Sequence, residues 1–439
     1  EALSELIERV VGVPIVTVTY DGTGGDKNGA IVPYIRFPRT GKPAVPDLGG
    51  LYNPLAQEET PHRNPVILVP GLLGSKLVDA DSGKVVWGAF ESGYVDPNTA
   101  DGARLIGLPL DAERAFGPEP DSVVPAGSID RLVVRFAGLP VELTAYAQIL
   151  QALGVGGYRD EDLAANGGVN WGDRHFTCFQ FDYDWRLDIA ATARKLGGFI
   201  EEKRRYVQKE IERRFGIPDY DVRFDLVTHS MGGLVARYYL RYGDRSLPAD
   251  GSLPEVDWRG ARYVQRVVMV APPNAGSLDA LRALVEGHRP AVLLPRYAPA
   301  LLGTMPSLYQ LLPRGRHHSL LDEQGRPVSS VYSPELWAAR GWGLADPDQQ
   351  QLLSFLMPKI SDPAARHRLA LDHQAQLLRR AQQFAAALDA PVVRPASLEY
   401  FLIAGDAEDT PAALRIDSKN RLQTASYGPG DGVVLRASA

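Results

Sequence analysis

Short runs of β-branched residues alternate with amphipathic stretches along this chain, and few folds accept that alternation. Val66-Ile67-Leu68-Val69 is a continuous apolar run, as a strand buried on both faces requires. Phe176 to Phe181, Arg223 to Thr228, Val267 to Val270 and Tyr400 to Ala404 read as further strands. Asp188 stands where an N-cap belongs. Ile189, Ala193, Leu196, Ile200, Val207, Ile211 and Phe215 then recur on one helical face until Gly216 stops it. A second helix is expected from Met231 to about Arg241, ended by Gly243. The fold class implied is α/β, a mostly parallel central sheet with helices on both faces.

Such a core needs about 250 residues as one domain, and the chain has 439. The surplus predicts an N-terminal extension over residues 1–60 and a main domain over 61–439. Cap or lid segments are expected to interrupt that domain at about 90–170 and 280–395. They would lie over the carboxyl ends of the strands, where open α/β sheets place their ligands. In the extension, Leu3, Leu6, Ile7, Val10 and Val11 share one face, read as a helix docked on the body rather than on a membrane. In the second cap, Leu301, Leu302, Met305, Leu308, Tyr309, Leu311 and Leu312 either present a groove for an apolar ligand or pack as core.

Charge excludes one class of partner. A formal charge of -6, with acidic and basic residues interspersed, leaves no footprint for nucleic acid and no polybasic membrane address. Cys178 is the one cysteine, so no internal disulfide framework forms. No apolar run reaches the roughly 18 residues of a spanning helix. The chain begins at Glu1 rather than Met. A secreted, periplasmic or membrane-associated location is expected over a cytoplasmic one. Gly22-Thr23-Gly24-Gly25-Asp26-Lys27 lacks phosphate-loop spacing and reads as a turn. His317-His318 has no acidic partner at metal-ligand spacing and reads as a surface pair. No cofactor and no metal are expected.

The chemistry starts at Thr228-His229-Ser230-Met231-Gly232, set between an expected strand and an expected helix. A nucleophile elbow needs that context: a sharp turn lifts the serine above the sheet, and small residues let the helix approach. Thr228 stands where the first glycine is usual. Ser230 is the candidate nucleophile of an α/β-hydrolase fold; His229, pointing the other way around the turn, reads as structural. Pro70-Gly71-Leu72-Leu73-Gly74-Ser75 follows the first apolar strand. The Leu72 and Met231 backbone N–H groups are the candidate oxyanion hole. For the acid there are two candidates, Asp431 in Gly430-Asp431-Gly432 and Asp406 after the Tyr400 strand. The order Ser, Asp, His asks for a histidine after Asp431, whereas the histidines stand at 62, 175, 229, 288, 317, 318, 367 and 373. The base is therefore expected beyond Ala439, with His373 as the substitute nearest in sequence.

Pro70 through Ser75, Tyr183-Asp184-Trp185-Arg186-Leu187, His229 through Gly233, Pro273-Asn274-Ala275-Gly276-Ser277 and Gly430-Asp431-Gly432 occur in that order. This set resembles the lecithin:cholesterol acyltransferase family, which includes phospholipases, acyltransferases and bacterial esterase or lipase homologues. The resemblance implies Ser230 as nucleophile, Leu72 and Met231 at the oxyanion hole, and Asp431 as acid. Val433 stands where the family has threonine two residues after the acid. The expected function is a serine acyl hydrolase on lipid-like esters, with transient contact to a lipid surface. An O-acyltransferase and a catalytically inactive binding protein of the same fold are the alternatives.

Overall fold

In the computed structural model the apolar run Val66–Val69 (β3) lies inside a seven-stranded sheet and is wholly buried. The residues described are 18–21, 32–35, 60–88, 95–111, 116, 121–128, 131–136, 139–144, 146–165, 175–289 and 295–439. The expected helix over Leu3 to Val11 and the glycine-rich turn at residues 22–27 lie outside them. The other sheet strands are β1 (Val18–Asp21), β2 (Val32–Ile35), β4 (Cys178–Gln180), β5 (Phe224–His229), β6 (Val264–Val270) and β7 (Glu399–Ile403). Their spatial order is β1-β2-β7-β6-β5-β3-β4, parallel throughout except for the edge pair β1–β2.

The period-2 pleat sends alternate residues of each strand into two different cores. Ile67, Val69, Leu226, Val267 and Met269 join one apolar cluster with Leu196, Leu234 and Val235. Those partners come from helices α1 (Ile189–Phe215) and α2 (Met231–Tyr242). Val66, Leu68, Val227 and Val268 face the other way, onto Leu150 and Leu153 of the helix Ala147–Val155. With both faces covered, continuous apolar runs are the expected strand sequence, and the arrangement is an α/β-hydrolase fold. The caps of α1 match the sequence expectation: the Asp188 side chain accepts from the Ala191 N–H, and Gly216 ends the helix at φ 66°. The Phe176 to Phe181 run is strand only over Cys178–Gln180.

The chain leaves β3 for β4 on one side, while β5 lies on the other side and leads on to β6. The carboxyl ends of β3 and β5 thus flank the point where strand order reverses, the usual place for a ligand crevice. Between β6 and β7 comes a series of short helices, then α4 (Pro363–Asp389), with α3 (Leu278–Glu286) first in the series. A hairpin of Glu408–Ile416 with Leu422–Gly430 follows β7.

Tyr183 through Leu187 binds the early insertion to the sheet. Arg186 is wholly buried, and all five of its N–H donors are used. Its Nη2 lies 2.7 Å from Asp184 and 3.0 Å from Asp121, while Nη1 donates to Leu105 and Ile106 carbonyls at 3.0 and 3.1 Å. Trp185 Nε1 donates to Ser75 O at 3.2 Å. Removing the guanidinium leaves two carboxylates with no counter-charge, which costs about 3–5 kcal/mol for a buried pair. Arg186→Met is therefore expected to lower the unfolding free energy measured by denaturant titration by that amount. Arg213→Ala, which breaks an exposed pair with Glu210, changes stability by about 1 kcal/mol or less.

Candidate active site

Ser230 sits between β5 and α2 with φ 51° and ψ −125°, a conformation that a side chain adopts at a cost. The turn is pinned by the Ser230 N–H to Val270 O at 2.9 Å and the Gly233 N–H to Ser230 O at 2.9 Å. Glycine is required on both sides of it. A Cβ at Gly232 would stand 2.4 Å from Val69 O, and one at Gly71 would stand 2.8 Å from the Ser230 Cβ. The first of these lets α2 start against the end of β3, and the second brings the loop after β3 onto the Ser230 turn. Thr228, in place of the usual glycine, is buried and extended in β5, where a side chain is accommodated.

The loop turns at Gly71–Gly74, closed by the Gly74 N–H to Gly71 O at 3.1 Å, with Leu73 at φ 63°. Neither the Leu72 nor the Met231 N–H donates to another group among the described residues. Met231 is the first residue of α2, so its N–H is an orphan by helix geometry and lies at the positive end of the helix dipole. If these donors hold an oxyanion, Leu72→Pro is expected to lose about 10²-fold or more in kcat, since one such donor is worth about 3 kcal/mol. Leu72→Ala retains the donor and most of the activity. Kinetics on both variants, with circular dichroism to exclude a distorted loop, check this; equal activity removes Leu72 from the hole.

Ser230 opens into a cavity of about 260 Å³. Its walls are mostly apolar: Leu72 and Leu73 from the loop, Trp87, Trp185 and Tyr297, and Leu302, Leu308 and Leu311 from the second insertion. The apolar stretch of that insertion thus serves both purposes. Those three leucines face the cavity, while Leu301, Met305, Tyr309 and Leu312 are buried in the core. The polar members of the lining are Ser230, Ser277, Asp279 and His288. Val433, 58% exposed, and Val434 complete the wall, so the segment after Asp431 borders the same cavity.

The two candidate acids are in different settings. Asp431 is exposed; its Oδ1 accepts from the N–H groups of Val433 at 2.9 Å and Val434 at 2.6 Å. Burial lowers the basicity of His229 and the Asp431 charge opposes that; the Asp431 Cβ is 2.7 Å from where a Cβ on Gly405 would be. Asp406 is buried and paired with Arg436 at 3.2 Å.

The histidines stand in different settings. His373, the nearest in sequence to Asp431, is buried on α4 and is not among the residues lining the Ser230 cavity. Burial holds its imidazole down at about 4, against the pull of Asp111. His288, beyond the end of α3, is the histidine that lines the cavity with Ser230. Burial lowers its basicity, and Asp279 opposes that. Sequence order gave no weight to His288, because the fold brings it in from α3 rather than from the end of the chain. His229 is held by Tyr146, whose hydroxyl lies 3.0 Å from Nδ1. His317 and His318 are exposed, and no group of metal-ligating side chains occurs among the described residues.

Residues 143–325 match the family model described as lecithin:cholesterol acyltransferase. That segment includes Tyr183–Leu187, the elbow and Pro273–Ser277; the Pro70–Ser75 loop and Asp431 lie outside it. Among solved structures, a chain in the crystal structure of the Tle4–Tli4 complex has a TM-score of 0.51 and 16% identity. The similarity covers 85% of this chain and 88% of that one, and it is a likeness of fold. No curated protein matches the chain.

Proposed function

We propose that this chain, which carries a lecithin:cholesterol acyltransferase family domain on an α/β-hydrolase fold, is a serine acyl hydrolase acting on lipid-like carboxylic esters. The family domain supports ester chemistry on lipids, as hydrolase or acyltransferase. The observation that carries the finer reading is Ser230: a strained elbow serine that precedes Met231 at the start of α2 and opens, with Leu72, into one apolar cavity. In this reading Ser230 Oγ attacks the ester carbonyl as a base takes its proton. The Leu72 and Met231 N–H groups hold the oxyanion, and the alcohol leaves with a proton. Water then attacks the acyl-enzyme and releases the acid. Asp431 supplies the negative charge that orients the base.

The leucine-lined cavity fits an acyl chain, and exposed Val433 at its wall fits approach to a lipid surface. A substrate met at such a surface agrees with a secreted, periplasmic or membrane-associated location. The same acyl-enzyme passes its acyl group to an alcohol where one outcompetes water, so O-acyl transfer is the second reading. It is favoured by the family that residues 143–325 match. Product analysis with and without an alcohol acceptor separates the two.

A chain-length panel of nitrophenyl esters tests the substrate class. Each buried CH₂ is worth up to about 0.8 kcal/mol, so kcat/KM is expected to rise at least about tenfold from acetyl to octanoyl. A flat or falling profile contradicts an acyl-chain cavity.

A further inference from the structure

The peptide group that joins Pro70 to Gly71 is held at both poles by buried phenols. Tyr183 Oη donates to Pro70 O at 2.7 Å, and the Gly71 N–H donates to Tyr146 Oη at 2.7 Å. Tyr183 is 2% exposed and Tyr146 3%. The second hydroxyl is seated deep in the loop, since a Cβ at Gly74 would stand 2.6 Å from it. Burial pushes the Tyr146 phenol up to about 12, though its hydrogen bond from Gly71 pulls the other way. The hydroxyl therefore keeps its proton at neutral pH. Besides accepting from Gly71, it shares a hydrogen bond with His229 Nδ1 at 3.0 Å, with the two rings edge-on. His229 is bonded directly to Ser230, so the contact links the loop to the elbow.

We propose that Tyr146 and Tyr183 are positioning residues that clamp the Pro70–Gly71 peptide plane and so aim the next N–H, that of Leu72, at the oxyanion. This rests on the reading of Leu72 as an oxyanion donor. The Leu72 N–H lies on the following peptide, which is built on the clamped one through Gly71 and whose carbonyl accepts from the Gly74 N–H at 3.1 Å, so loosening the first plane lets that donor drift. A donor fixed before the reaction needs no reorganisation as charge develops. Tyr146 also sets the spacing between donor and nucleophile, through His229. Neither phenol is among the residues lining the Ser230 cavity, so neither is assigned a contact with substrate.

The test is steady-state kinetics on an octanoyl nitrophenyl ester, together with the rate of Ser230 phosphonylation by a fluorophosphonate. The proteins are wild type, Tyr146→Phe, Tyr183→Phe and the double variant. Each single change is expected to lower kcat about 10- to 100-fold while KM moves less than about threefold, because the lost interaction belongs to the transition state. Phosphonylation slows by a similar factor. The double variant loses much less than the product of the single losses, since both changes free the same peptide group. His229→Asn keeps a hydrogen-bonding group near the Nδ1 position and is expected to retain at least about fivefold more activity than His229→Phe. That pair decides the matter should a phenylalanine variant fail to fold. If wild type turns over the ester but both phenylalanine variants keep kcat within twofold, or lose activity only through KM, the clamp is overturned. If wild type neither hydrolyses the ester nor labels at Ser230, the reading of the site fails and the clamp with it.

Discussion

Ser230→Ala is expected to remove essentially all ester hydrolysis, a loss of about 10⁴- to 10⁶-fold in kcat, with the fold intact. The size of the loss follows from the two-step route: without Oγ no acyl-enzyme forms, and only the oxyanion donors and binding remain. Stability should change little. Ser230 Oγ makes no hydrogen bond to another described residue, and alanine meets the same φ of 51° as serine does. The backbone bonds that pin the turn, Ser230 N–H to Val270 O and Gly233 N–H to Ser230 O, are untouched. The measurements are turnover and the thermal midpoint of the purified variant. Turnover above a trace would show that another residue attacks the ester.

Asp431→Asn is expected to lower kcat about 10⁴-fold, through loss of the charge that orients and stabilises the base. The amide is close to isosteric, and its oxygen still accepts from the Val433 and Val434 N–H groups. The turn survives, so a large loss reports charge rather than geometry. Asp406→Asn is the control. It weakens the pair between buried Asp406 and Arg436, whose side chain is 43% exposed, and is expected to lower local stability with activity changed a few-fold at most. The reverse ranking of the two variants would assign the acid to Asp406.

The sheet was legible because its strands are buried on both faces and must be continuous apolar runs; Val66 through Val69 is the clearest. α1 was legible to the residue at both caps, because Asp188 and Gly216 do what their chemistry favours. The hairpin after β7 was not read. Its strands carry Pro411 and Pro429, residues that argue against a strand, and their alternation is weak.

At the site, the elbow was readable because its glycines have to be where they are. Gly232 and Gly71 answer to contacts of 2.4 and 2.8 Å that no side chain tolerates. Tyr146 was invisible. It meets Gly71 and His229 from 75 and 83 residues away in sequence, and nothing local marks it. His288, which lines the Ser230 cavity, is likewise brought there by packing and not by any local pattern. Tyr183 was noticed as part of a resemblance, but its partner, the Pro70 carbonyl, emerged only from the packing.

The central claim is that Ser230 is the nucleophile. A fluorophosphonate probe forms a stable adduct with an activated serine, and peptide mapping by mass spectrometry locates it. The account predicts one adduct per chain, on the peptide containing Ser230, and none on Ser230→Ala. An adduct on a different residue, or equal labelling of the alanine variant, would contradict it.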